Sequence, residues 1–143
     1  MAMWFIRPSI EDMTKRGENT MFSSLGIEIT EVGDDFLKGT MPVDNRTKQP
    51  LGLLHGGANC VLAESIGSMA ANYCVDPSKY FAVGLDINAN HLRPVTEGLV
   101  TAIAKPLHMG RTTQVWEIKI ENEEGKLACI SRLTIAIVER KPK

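Results

Sequence analysis

Residues 51–75 read LGLLHGGANCVLAESIGSMAANYCV, the most apolar stretch of the chain, and its interpretation decides the fold. Ala58, Leu62, Ala63, Met69, Ala70 and Ala71 are strong helix formers. Small residues recur at Ala63, Gly67, Ala70, Ala71 and Cys74, spaced by three and four, and lay a smooth stripe along one helix face. The pattern predicts a helix from about Gly56 to Cys74, roughly 30 Å long at ~1.5 Å per residue, enough to cross a sheet. Asp76-Pro77-Ser78-Lys79 ends it. The length also suits a bilayer span, but His55, two adjacent glycines, Asn59, Glu64 and Asn72 interrupt it. A central carboxylate is too unfavourable in lipid, so a buried helix of a soluble protein is expected and no membrane partner.

On either side the periodicity changes. Ser9 to Arg16, in an N-terminal segment over residues 1–20, suits a short helix with Ser9 as N-cap and Gly17 as stop. Leu25, Ile27 and Ile29 alternate, Gly33-Asp34-Asp35 makes a turn, and Leu37 to Val43 returns. Asp44 to Pro50 is a polar loop. Beyond the helix, Phe81, Val83, Leu85, Ile87 and Ala89 share one face, with Ala82, Gly84, Asp86, Asn88 and Asn90 opposite. Leu99 to Lys105 is a second run, and Trp116, Ile118 and Ile120 alternate with Glu117, Lys119 and Glu121. After the turn at Asn122-Glu123-Glu124-Gly125, the residues Leu127, Cys129, Leu133, Ile135 and Ile137 form the last strand. Short connections imply antiparallel neighbours. The sum is an α+β domain, one long helix laid on a five- or six-stranded antiparallel sheet.

The 143 residues, 43% hydrophobic, fit a single domain over 1–143 with one core. Sixteen basic residues against seventeen acidic give a net charge of −1 with no run of one sign, so no nucleic-acid partner is expected. Cys60, Cys74 and Cys129 have no Cys-x-x-Cys spacing, which argues against a disulfide framework and for reduced thiols in the cytoplasm. Met1 to Ile6 is too short an apolar run for a secretory signal. His55, His91 and His108 lack ligand partners at metal-binding spacings, so no metal is expected. The chain has no Gly-x-Ser-x-Gly elbow, dinucleotide fingerprint or P-loop, and so shows no sign of a serine triad, a redox cofactor or ATP.

Between Lys48 and Asp76 the only formally charged residue is Glu64. A carboxylate in such surroundings is paired, hydrogen-bonded or protonated, and one drawn out of water suits acid–base work. The plain alternative is a structural glutamate bonded to Ser68, one turn on, or to a strand. His55-Gly56-Gly57 opens the same helix. Free N–H groups at a helix start carry partial positive charge, and glycine lets a ligand oxygen approach them. That arrangement suits a thioester carbonyl, whose oxygen gains negative charge under attack; a tight loop-to-helix turn is the plain alternative. Gln49, just before Pro50, can polarise the same carbonyl or hold a water. Cys60 and Cys74 are packing residues.

Over nearly all its length the chain resembles hotdog-fold acyl-CoA thioesterases, in the branch of the phenylacetic-acid-pathway and 4-hydroxybenzoyl-CoA enzymes. The likeness rests on Met41-Pro42-Val43-Asp44, Arg46-Thr47-Lys48-Gln49-Pro50, Leu54-His55-Gly56-Gly57, Leu62-Ala63-Glu64-Ser65-Ile66-Gly67-Ser68 and Gly84-Leu85-Asp86-Ile87-Asn88-Ala89-Asn90-His91. It is greatest toward the 1,4-dihydroxy-2-naphthoyl-CoA hydrolases of menaquinone synthesis and the proofreading thioesterases of enterobactin synthesis. The resemblance implies homodimers that pair into homotetramers, with active sites at the dimer interface and no cofactor beyond the coenzyme A of the substrate. By it Glu64 attacks the thioester or activates water, while the Gly56 N–H and Gln49 of the opposite subunit hold the carbonyl. His55 matches the family's active-site histidine, Ser68 the residue that orients water, and His91 a position near the acyl group and pantetheine. For coenzyme A it points to His91-Leu92-Arg93-Pro94 and His108-Met109-Gly110-Arg111-Thr112-Thr113, with Gly84 facing the pantetheine and Arg93 and Arg111 as phosphate contacts.

The expectation is therefore hydrolysis of an aromatic or bulky acyl-CoA to the acid and free thiol. Three other functions share the scaffold: a thioesterase that clears misloaded aryl carrier proteins, a hotdog dehydratase or hydratase, and a non-catalytic acyl-thioester binding module. Pocket width is expected to depend on Met69 and Met109.

Overall fold

The computed structural model describes residues 1–142. In chain order its elements are α1 (Ile10–Gly17), α2 (Met21–Ser24), β1 (Glu28–Val32), β2 (Leu37–Pro42), α3 (Gly56–Tyr73), β3 (Tyr80–His91), β4 (Leu99–Met109), β5 (Thr113–Glu121) and β6 (Leu127–Glu139). The strands form one six-stranded antiparallel sheet in the order β1-β2-β4-β5-β6-β3, with α3 packed on it. This is the expected α+β hotdog architecture, at the larger of the two strand numbers.

Helix α3 lies close to the sheet because its inner face is small. Leu62, Ala63, Ile66, Ala70 and Ala71 are buried against Trp116, Ile118, Leu133 and Ile135 of the sheet. A Cβ at Gly67 would stand 2.7 Å from Leu133 Cδ2, so the helix backbone itself rests on that leucine. Asn72, polar within the apolar run, pins the helix to β3. Its Oδ1 accepts from the Ala82 N–H (2.8 Å), and its Nδ2 donates to the Ala82 carbonyl (3.1 Å) and the Ser68 carbonyl (2.9 Å). Cys74, the expected last helical residue, is the C-cap, so α3 ends one residue sooner, at Tyr73.

Three features depart from the sequence pattern. The face assignment over Phe81 to Ala89 is broken by a β-bulge between Gly84 and Asp86. Ala82 and Gly84 face the helix before it, Ile87 and Ala89 pack inward after it, and Val83 and Leu85 are left exposed. A bulge puts one extra residue in the strand and so exchanges its faces. Second, β3 and β4 are consecutive but not adjacent, because β3 crosses to the far edge beside β6. Third, Met21–Ser24 is helical, with Thr20 Oγ1 accepting from the Phe22 N–H (3.2 Å).

The N-terminal segment straps over one side of this layer. Ser9 Oγ accepts from the Asp12 N–H (3.0 Å), capping α1 where expected. The Trp4 indole donates to the Gly33 carbonyl (2.7 Å) and the Phe5 N–H to the Tyr73 carbonyl (2.9 Å). Arg7 reaches Asp34 at 2.6 Å, and that hydrogen-bonded guanidinium holds the Asp34 carboxyl below the usual carboxylate range. No helix among the described residues is long and apolar enough to cross a membrane.

Candidate active site

The start of α3 is built around backbone donors. His55 is its N-cap: Nδ1 accepts from the Gly57 N–H (2.8 Å), and its carbonyl accepts from the Ala58 and Asn59 N–H groups. The Gly56 N–H has no partner among the described residues, as the first amides of a helix require something outside it. A Cβ at Gly56 would stand 2.9 Å from His91 Nε2, so glycine here admits the imidazole as well as the turn. Gln49 sits in a loop closed by its N–H on the Leu53 carbonyl (2.8 Å) and the Gly52 N–H on its own carbonyl (2.9 Å). Its Oε1 accepts from the Leu51 N–H, leaving the amide N–H groups unpaired among the described residues. Gln49, Gly56, Asn59, His91, Arg93 and Pro94 share a cleft of about 320 Å³, with Leu92 alongside. The exposed His55 is not part of its lining.

Glu64 lies elsewhere. It is half-buried, with no ion pair and no hydrogen bond among the described residues, so the structural pairing with Ser68 is not made. Its Oε2 sits over the Cα of Gly84, where a Cβ would be 2.5 Å away. Glu64 and Ser68 line a second cleft of about 360 Å³ with Met21 and Val61. That cleft adjoins a third, of about 390 Å³, where Met69 and Tyr73 of α3 face Arg16, Thr20 and Phe22. Arg16 stacks over the Tyr73 ring at 4.9 Å.

Within one chain the two halves stay apart. Gly56 and Glu64 are separated by two helical turns, about 12 Å along the axis. The two segments expected to meet coenzyme A are likewise divided. His91 pairs with Cys129 and Thr113 with Ala136, so they lie at opposite ends of β6, about 23 Å apart. Arg93 Nη1 donates to the Leu127 carbonyl (3.0 Å), whereas Arg111 is exposed with no ion pair among the described residues. His108 and Met109 end β4, and Gly110 makes the tight turn, its N–H on the Thr113 carbonyl (2.8 Å). Thr112 is exposed beside Arg111, and of the two methionines Met69 lines a cleft adjoining Glu64 whereas Met109 does not.

A matching family model, described as the thioesterase superfamily, covers residues 51–129, the span from the Gln49 loop to the strand that carries Cys129. The chain belongs to the thioesterase superfamily. It is 52% identical over 136 residues to the 1,4-dihydroxy-2-naphthoyl-CoA hydrolase of Escherichia coli, covering 95% of this chain and 99% of that one. It is 46% identical over 136 residues to the proofreading thioesterase EntH of Cronobacter turicensis, covering 95% and 98%. The crystal structure of a mutant thioesterase from Pseudomonas aeruginosa superposes with a TM-score of 0.96 at 49% identity, covering 97% of this chain and 100% of that one. This thioesterase is therefore a thioester hydrolase on the hotdog fold, which sets the dehydratase and binding-module readings aside.

Sequence reasoning missed two parts of the site. In the sequence Asn59 is only a polar break in an apolar run, yet it is buried beside His91. The α2 segment is too short for any periodic signal, yet Met21 walls the Glu64 cleft. The cysteines offer no thiolate at neutral pH. Burial pushes Cys74 up to about 12 and Cys129 to about 11, while burial and the neighbouring Glu64 charge raise Cys60. No group of three or more His, Cys, Asp or Glu among the described residues is placed to hold a metal ion.

Proposed function

We propose that this thioesterase hydrolyses an aromatic or bulky acyl-CoA at a site completed by two copies of the chain. One copy supplies Glu64 and Ser68, the other Gly56 and Gln49. The observation that carries this reading is the separation on α3: a Gly56 N–H and a Glu64 carboxylate, both without partners among the described residues, lie two turns apart in different clefts, and one thioester carbonyl cannot touch both in the same chain. The sheet supports it. Strand β3 is an edge of twelve residues with Val83 40% and Leu85 63% exposed, and such an edge calls for a cover. Antiparallel pairing of β3 with its twin also brings the His91–Pro94 end of one copy toward the Thr113 end of the other, joining the two coenzyme A segments. Two such dimers pairing again give the tetramer.

The acyl group then occupies the clefts beside Glu64, with Met21, Met69 and Tyr73 as walls. The Gly56 N–H and Gln49 polarise the carbonyl, Glu64 attacks or takes a proton from the attacking water, and Ser68 orients that water. The carbon–sulfur bond breaks, giving the acid and the free thiol of coenzyme A. Arg93 and Arg111 bind the phosphates. 1,4-Dihydroxy-2-naphthoyl-CoA, named for the Escherichia coli relative, is such a substrate and the first to assay. Aryl carrier-protein thioesters, suggested by the name of the Cronobacter relative, are the comparison arm. Cytoplasmic location follows from substrates of this kind.

The test is Glu64→Gln, assayed by thiol release over a panel of aryl- and alkyl-CoA esters. The variant folds with unchanged circular dichroism and loses at least about 10²-fold in kcat, the scale of a lost transition-state group. Retention of more than about a tenth of the wild-type rate would remove Glu64 from the mechanism.

A further inference from the structure

We propose that Asn59 is a positioning residue that fixes His91 with its Nε2–H turned toward the carbonyl site, as a second donor beside the Gly56 N–H. The inference rests on the thioesterase site described above. Asn59 is 5% exposed, on the inner side of the first turns of α3. Its Nδ2 lies 3.2 Å from His91 Nδ1. With the carboxamide nitrogen as donor, Nδ1 is the acceptor, and in a neutral ring the proton then belongs on Nε2. That Nε2 is the atom nearest to where a Gly56 Cβ would stand, at 2.9 Å, and Gly56 and His91 line one cleft with Gln49. His91 Nε2 therefore stands close over Gly56, in the cleft where the proposed site offers the free Gly56 N–H to an oxyanion.

The cost of this arrangement identifies its purpose. Asn59 Oδ1 is buried without a hydrogen-bond partner among the described residues. A buried unpaired carbonyl is destabilising, and folding alone would favour an apolar residue there. Asn72 on the same helix is the contrast, with both ends of its carboxamide bonded to backbone. Asn72 holds the fold; Asn59 holds His91.

The experiment combines imidazole nitrogen NMR with kinetics on the whole protein. Wild type should show His91 as the Nε2–H tautomer. An Nδ1–H tautomer, which needs the carboxamide turned over to accept through Oδ1, overturns the proposal even if no variant folds. Asn59→Leu should keep or raise the melting temperature, give a mixture of His91 tautomers, and lower kcat about 10-fold with KM unchanged, the signature of a contact made in the transition state. His91→Ala should lower kcat about 10²-fold, and the double variant should match His91→Ala alone, since Asn59 acts only through the ring. Wild-type kcat in Asn59→Leu, or losses that multiply in the double variant, would overturn it. Full activity in Glu64→Gln would instead defeat the site assignment, leaving the tautomer result standing.

Discussion

At the scale of the residue, the space left by glycine matters as much to the proposed site as its polar groups. Gly84 makes room for the Glu64 carboxylate: a Cβ there would sit 2.5 Å from Oε2. Gly84→Ala should therefore swing the carboxylate away and lower kcat at least about 10-fold, because a displacement near 1 Å at a reacting group has effects of that order or larger. Steady-state kinetics with a melting curve checks this; wild-type kcat in a folded variant would contradict it. Glu64 and Gly56 were legible in the sequence for the same reason, since a lone charge and a glycine pair stand out against an apolar run. Asn59 and Asn72 look alike in that run, and only packing separates the one that holds His91 from the one that ties α3 to β3. Gly84 was linked to pantetheine only through the family resemblance, and its contact with Glu64 depends on a bulge that alternation does not reveal.

At the scale of the element, α3 was readable almost to the residue. Its small stripe, its polar entry at His55 and the Asp76-Pro77 stop all act locally, and the structure runs Gly56–Tyr73. The stripe also makes a measurable demand. Gly67→Ala places a methyl 2.7 Å from Leu133 Cδ2, inside a core where Leu133 and Ile66 are fully buried. Overpacking of this kind destabilises by about 1–3 kcal/mol, which urea unfolding at neutral pH would detect. No change in midpoint would mean that the helix rides higher on the sheet than described. The face exchange in β3 was not legible, because an alternating pattern assumes one residue per step and the bulge inserts an extra one. The four residues of α2 are likewise below the length at which a period can be counted.

At the scale of the whole molecule, the sequence implied one helix on one antiparallel sheet but not the strand order, because β3 finds β6 rather than its neighbour in the chain. Burial in this layer has a pH signature. The Cys74 and Cys129 thiols, pushed to about 12 and about 11 by burial, keep their protons in the folded state after the unfolded chain has released them near 9.0. Stability from this source is full below pH 9.0 and is lost as pH rises toward 12, because the unfolded state binds fewer protons there. Urea midpoints should fall between pH 9 and 11, and Cys74→Ala should flatten the slope relative to wild type; parallel slopes would contradict the assignment.

The division of the site between two copies is the claim on which the functional account turns, and subunit mixing measures it directly. Glu64→Gln removes the carboxylate from one copy. Gly56→Pro removes the N–H from the other, at the first helical position, where the proline backbone is tolerated, and its Cβ also presses on His91 in the same half of the site. Each variant alone should be nearly inactive in thiol release. Unfolded and refolded together, they should recover about a quarter of wild-type activity, since half the two-fold dimers are mixed and each mixed dimer regains one intact site. A mixture that stays as inactive as its components would show that Glu64 and Gly56 serve within a single chain or not at all.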